Sequence, residues 1–171
     1  VDGGKLERVV VSNIAMNNAR SAIFIRLGNR ARPYLATQLR GAGGPFDADA
    51  TREGTKRPGV GSLRDVIISN VVATGVDKTG CAIAGLPDHP IENVILQNIR
   101  ITYAGGGGPE LADRDVPQQE ARYPEYTMFG PLPAYGFYCR HVRNIRFDNV
   151  VLDYEQPEHR PALVCDDVKG L

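Results

Sequence analysis

Several side chains of this 171-residue sequence could do chemistry, and each admits a plainer reading. Asp88 in the turn LPDHP, Glu125 in an aromatic stretch and Asp166 of the one Asp-Asp pair are the carboxylates a hydrolase could use, one as acid and one as base. Arg26 and Arg30 lead into a basic segment. Guanidinium forks match carboxylates in a bidentate way, so an acidic sugar or another carboxylate is the ligand that chemistry would take. The alternative is a solvated basic loop. Tyr126, Phe129 and Tyr135 could stack on sugar rings, or could belong to an apolar flap glued to the outside of the fold. His89 and His159 flank prolines and read as turn residues. Cys81, Cys139 and Cys165 match no C-x-x-C spacing and sit among apolar neighbours, which makes them small buried hydrophobes.

The elements that must position these groups come from an internal repeat. Residues 6–18 (LERVVVSNIAMNN), 63–75 (LRDVIISNVVATG), 91–103 (IENVILQNIRITY) and 142–154 (VRNIRFDNVVLDY) align without gaps, and a fifth copy starts at Val168. The pattern is apolar, polar, polar, apolar, any, apolar, any, Asn, apolar, any, apolar. Alternation on both sides of the Asn has the period of a strand. The phase breaks at Asn13, Asn70, Asn98 and Asn149, where the chain must bend between two short strands and where Asn tolerates a left-handed backbone. These amides read as corner residues, and stacking in register would make them a ladder.

A second short strand follows in each unit, at 22–27, 81–85, 135–140 and 162–165. The cleanest step between units is 28 residues and the last is 26, the length of one β-solenoid coil with about three short strands. A leucine-rich repeat has a similar period, but β-branched residues fill the core positions here. The expected fold is all-β: a right-handed parallel β-helix over 1–171, with about four coils starting near 6, 63, 91, 142 and 168. Cys139 and Cys165 lie three residues before Val142 and Val168, so they should be stacked neighbours. A disulfide between them is geometrically possible, but a ladder of reduced thiols needs no strain. His141 and Asp167 occupy the next matching position.

Two steps are too long, and they define insertions at 28–62 and 104–136. Long loops on a regular solenoid carry function, so binding should be sought there. The first holds six cations against three carboxylates, a net of +3, and the second two cations against five carboxylates, a net of −3. Opposite charges suggest that the two loops pack together. Of the 19 glycines and 12 prolines, 21 lie in these 68 residues, which leaves the coils nearly free of both. The formal net charge is zero, so nucleic acid and an anionic membrane surface are not favoured as partners. No 18-residue apolar run is present to cross a membrane. The sequence starts at Val1 with no basic-then-apolar leader, which suggests a natural start lost by processing or a start within a gene.

The coil pattern, with SAIFIRLGNR at 21–30, GLPDHPIENV at 85–94 and YPEYTMFGPLPAYGFYCRHV at 123–142, resembles the C-terminal portion of bacterial glycoside hydrolases of family 28, the polygalacturonases and rhamnogalacturonases. The resemblance implies a pectin-lyase-like solenoid, inverting hydrolysis of pectin without a metal or cofactor, an acidic polysaccharide as partner, and a secreted or periplasmic location. Such hydrolysis needs two carboxyl groups about 6.5 to 9.5 Å apart. The family's N-T-D, G-H-G and R-I-K motifs do not occur, and the single Asp-Asp lies in the last coil, so no catalytic residue carries over. Arg26, Arg30, Glu125, Tyr126, Phe129 and Tyr135 remain as candidate substrate contacts. Three functional readings follow: an inactive part of a pectin-acting glycosidase, a free-standing carbohydrate-binding or structural β-helix, and a small complete hydrolase using Asp88, Glu125 or Asp166. A first coil entered at Leu6 without a polar cap should also leave the chain poorly soluble or paired end to end.

Overall fold

The computed structural model describes residues 3–30 and 58–171. The expectations that fall on 31–57, the body of the first insertion, lie outside the described residues. Among those described, the regular elements are seven strands and one 3-10 turn at Pro109–Leu111. The strands are β1 (Lys5–Asn17), β2 (Phe24–Arg26), β3 (Ser62–Val76), β4 (Cys81–Ala84), β5 (Ile91–Gly105), β6 (Phe137–Gln156) and β7 (Leu163–Lys169). The chain is all-β, with its strands parallel in one curled sheet. Pairing runs β1-β3-β5-β6 on one side and β2-β4-β6 on the other, and β7 also pairs with β6. The twenty residues of β6 join the two sides, because 137–140 pair with β4 and 142–156 with β5.

The register aligns equivalent repeat positions. Val9, Val66, Val94 and Ile145 form one column, and Val11, Ile68, Leu96 and Phe147 the next. Beyond the Asn, Ile14, Val71, Ile99 and Val150 continue the pattern. Burial along a column follows the number of neighbours. Leu96 is fully buried, whereas Val11 on β1, which among the described strands pairs only with β3, keeps 36% of its surface. Residues of β1 and β2, with Leu63 and Val66 behind them, line an open apolar trough of about 380 Å³.

The bends lie at Asn13, Asn70, Asn98 and Asn149, whose φ values of 59°, 54°, 52° and 50° are left-handed. Each bend lies inside a continuous strand rather than between two short ones, since one left-handed residue changes the phase of alternation without ending the pairing. The amides form a ladder: Asn70 Nδ2 donates to Asn13 Oδ1 (3.0 Å), Asn98 to Asn70 (3.2 Å) and Asn149 to Asn98 (2.9 Å). A second left-handed column precedes it at Arg8, Asp65, Asn93 and Asn144. There Asn93 donates to Asp65 (2.7 Å) and Asn144 to Asn93 (3.1 Å).

The cysteines are all free, and Cys139 is the register partner of Cys165. Cys81 and Cys139 are buried. Cys165 is exposed, contrary to the expectation of three buried thiols, because among the described residues no strand pairs with β7 on its far side.

Candidate functional site

Strand β4 (CAIA) is buried on both faces. Cys81 and Ile83 join the main core, while Ala82 and Ala84 point the other way and leave room for an outer cover. Residues 106–136 supply it. Val116, Met128, Phe129 and Leu132 pack against Ala82, Ala84 and Tyr138, with Phe24 and Val164 at the margins. The aromatic stretch is therefore a flap over β2, β4 and β6 rather than the lining of a cleft.

Arginines fix this cover through main-chain carbonyls. Arg26, Ala84, Arg140 and Asp166 make one outward column across β2, β4, β6 and β7. Arg26 is 8% exposed, and its Nη1 donates to the carbonyls of Gly85 (2.6 Å) and Ala84 (3.3 Å). Its Nη2 donates to the Gln118 carbonyl (2.6 Å), and the Phe129 ring lies 5.3 Å from the guanidinium carbon. Burial, with the nearby Arg140 cation, draws its pKa down to about 10. Arg140 Nη1 donates to the Val116 carbonyl (2.5 Å). Its Nε lies 2.9 Å from Asp166 Oδ2 but off the N–H direction, a close ion pair without a hydrogen bond. Arg114 donates to the Pro131 carbonyl and Arg160 to that of Leu132 (3.0 Å).

Arg160 is itself held in a closed pair. Its Nε and Nη2 bind the two oxygens of Glu158 at 2.9 and 2.8 Å, both side chains are fully buried, and the Gly107 N–H donates to Glu158 Oε2 (3.1 Å). Burial alone would raise the Glu158 carboxyl, but these hydrogen bonds and the cation bring it down to about 2.

What the anchored segment presents outward is its tip, residues 119–127. Tyr123 is 63% exposed, and the Arg30 guanidinium lies 5.1 Å from its ring centre. Arg20 Nη1 donates to the Tyr126 hydroxyl (3.1 Å). Asn29 joins the tip to the end of β2, its N–H donating to the Glu120 carbonyl (2.9 Å) and its Nδ2 to Glu120 Oε1 (3.3 Å). Two tyrosines, two arginines and the exposed Glu120 and Glu125 thus form one rim. Asn29 and Arg30 meet residues 120–123 here, through an amide and a cation–π contact.

The structure brings Arg30, Glu125 and Tyr126 to this rim and removes the other three expected contacts from it. Arg26 has its Nη groups committed to carbonyls. Phe129 is 2% exposed under Arg26, and Tyr135 is packed edge-on between Tyr103 and Tyr154 with centroids 5.8 and 5.4 Å away. Arg20, Asn29, Glu120 and Tyr123 are the rim residues that sequence reasoning missed. Tyr123 opens the most specific motif and could have been found, whereas nothing local marks Arg20.

The remaining candidates are dispersed. Asp88 lies exposed in the 86–89 turn with φ 41°, together with His89. Asp166 accepts from the Tyr138 hydroxyl (3.1 Å) and faces Arg140. His141 Nδ1 lies 2.7 Å from Asp167 Oδ2, and this contact lowers the Asp167 carboxyl; Nε2 lies 2.8 Å from Gln118 Nε2. His159 is exposed, with its N–H on the Gly107 carbonyl (3.0 Å). Among the described residues no three His, Cys, Asp or Glu side chains are grouped to hold a metal ion. No family model matches this chain, and neither does a curated protein or a solved structure.

Proposed function

We propose that this chain is the C-terminal part of a pectin-acting glycoside hydrolase, folded as a right-handed parallel β-helix whose repeats are successive coils with loop insertions at 28–62 and 104–136. Its part is to hold acidic polysaccharide rather than to cleave it. The resemblance to family 28 supports the class. The rim at 119–127 supports the role, since exposed Tyr123, the Arg20–Tyr126 pair and Arg30 offer aromatic faces and cations on a segment anchored from beneath. The pectin substrate favours a secreted or periplasmic site of action, and the free edges at the two ends favour end-to-end contact in the isolated chain.

The test is binding and turnover of polygalacturonate. The purified chain should bind oligogalacturonides in a salt-sensitive way, Tyr123→Ala and Arg20→Ala should each weaken binding severalfold, and no reducing ends should be released. Absence of binding at low salt would sink the proposal, and reducing-end release would sink its non-catalytic part. A second reading, a carbohydrate-binding β-helix that works alone, draws on the same rim, where Arg20 holds Tyr126 and Arg30 lies against Tyr123.

A further inference from the structure

We infer that Cys165 and Cys139 are a reactive thiol pair that closes to a disulfide, with Cys165 as the site of attack and Cys139 as the resolving thiol. The inference does not rest on the glycosidase reading. The two residues are register partners in β6 and β7 and continue the column of Ile25 and Ile83. Partners on adjacent strands lie about 4.8 Å apart, within the Cα separation of about 4.4 to 6.8 Å that a disulfide spans. Their surroundings differ in the way such a pair requires. Cys139 is completely buried in the main core, whereas Cys165 is exposed on the outermost strand. Beside Cys139 the Cys165 thiol is drawn down to about 7, while the contact with Cys165 and burial push Cys139 up. Cys81 takes no part, being fully buried with its Sγ 3.2 Å from the Tyr103 hydroxyl.

Oxidised glutathione is a sufficient oxidant. The Cys165 thiolate attacks one glutathione sulfur, the glutathione S–S bond breaks, and one glutathione thiolate leaves a mixed disulfide on Cys165. Opening of the edge strand exposes Cys139, which loses its proton and attacks the Cys165 sulfur, expelling the second glutathione thiolate. Two cysteine thiols become one disulfide, one oxidised glutathione becomes two reduced ones, and the two cysteine protons end on them. The bridge ties β7, with Asp166 and Asp167, to β6.

The experiment incubates the purified chain in glutathione redox buffers, quenches with acid, alkylates under denaturing conditions and maps the peptides by mass. The wild type should lose two hydrogens, with Cys139 and Cys165 protected together and Cys81 alkylated. Cys139→Ser should stop with one glutathione on Cys165, and Cys165→Ser should gain none. Hydrogen exchange of β7 should slow severalfold in the oxidised form. A persistent glutathione adduct on the wild type, a bridge to Cys81, or both thiols still free in a buffer of oxidised glutathione alone would each overturn the inference. Alkylation of the wild type decides the matter even if a serine variant folds poorly.

Discussion

Asn98 is tied to a neighbour on each side, donating to Asn70 and accepting from Asn149, whereas Asn149 is tied only to Asn98. Both hold φ near 50°, a conformation that costs an ordinary residue about 1–2 kcal/mol. Asn98→Ala should therefore lower stability to urea by about 1–3 kcal/mol, and Asn149→Ala by less. Asn98→Gly relieves the backbone and loses only the ladder, so it should fall below Asn98→Ala; equal losses would show that the backbone term is absent. A second test at this scale is acid. The Glu158 carboxyl titrates at about 2 in the folded chain against an ordinary 4.5. Its contribution to stability is complete above about 4.5 and is lost as pH falls toward 2. Thermal melts across that window should flatten in Glu158→Gln. Arg160→Ala would strand a buried carboxylate and should cost about 3–5 kcal/mol.

The segment 106–136 behaves as an element although it contains no strand. Its Val116, Gln118, Pro131 and Leu132 carbonyls each receive an arginine, and its apolar side chains fill the space left by Ala82 and Ala84. Arg26→Met should keep much of the packing but free the Gln118 carbonyl. Amide exchange at 116–120 should then quicken while β3 and β5 stay protected, and uniform quickening would mean that Arg26 supports the whole core instead. The strands were legible because alternation and the Asn bend are local signals. The bend at Asp65, Asn93 and Asn144 was hidden in two polar positions that look like any solvated turn. The rim was only half legible. Arg20 and Tyr126 are 106 residues apart, and their meeting depends on how the flap lies over β2. Arg26 misled for the same reason: a guanidinium read alone promises a carboxylate, and the backbone of the flap supplies its acceptors.

Across the whole molecule the two ends differ from the middle. Leu63, Ile68 and Tyr103 are each 8% exposed or less, while their register partners Leu6 and Val11 at one end keep 45% and 36% and Tyr154 at the other keeps 43%. Apolar surface of this kind at a free sheet edge favours association. The sedimentation coefficient of the isolated chain should rise with concentration, and an apolar dye should bind and be displaced on assembly. Val11→Lys, in the open trough, should suppress both. A monomer at all concentrations with no dye uptake would count against open ends.

The amide ladder also has a direction. Asn70, Asn98 and Asn149 each donate toward β1, so among the described residues Asn13 ends the row with a spare donor and Asn149 with a spare acceptor. A two-fold dimer through either end would set like against like at this position. Contact of unlike ends extends the row and leaves fresh ends of the same two kinds. Such a heterologous contact has no closing symmetry unless its rotation happens to form a ring, and polar fibres are the form its growth would take.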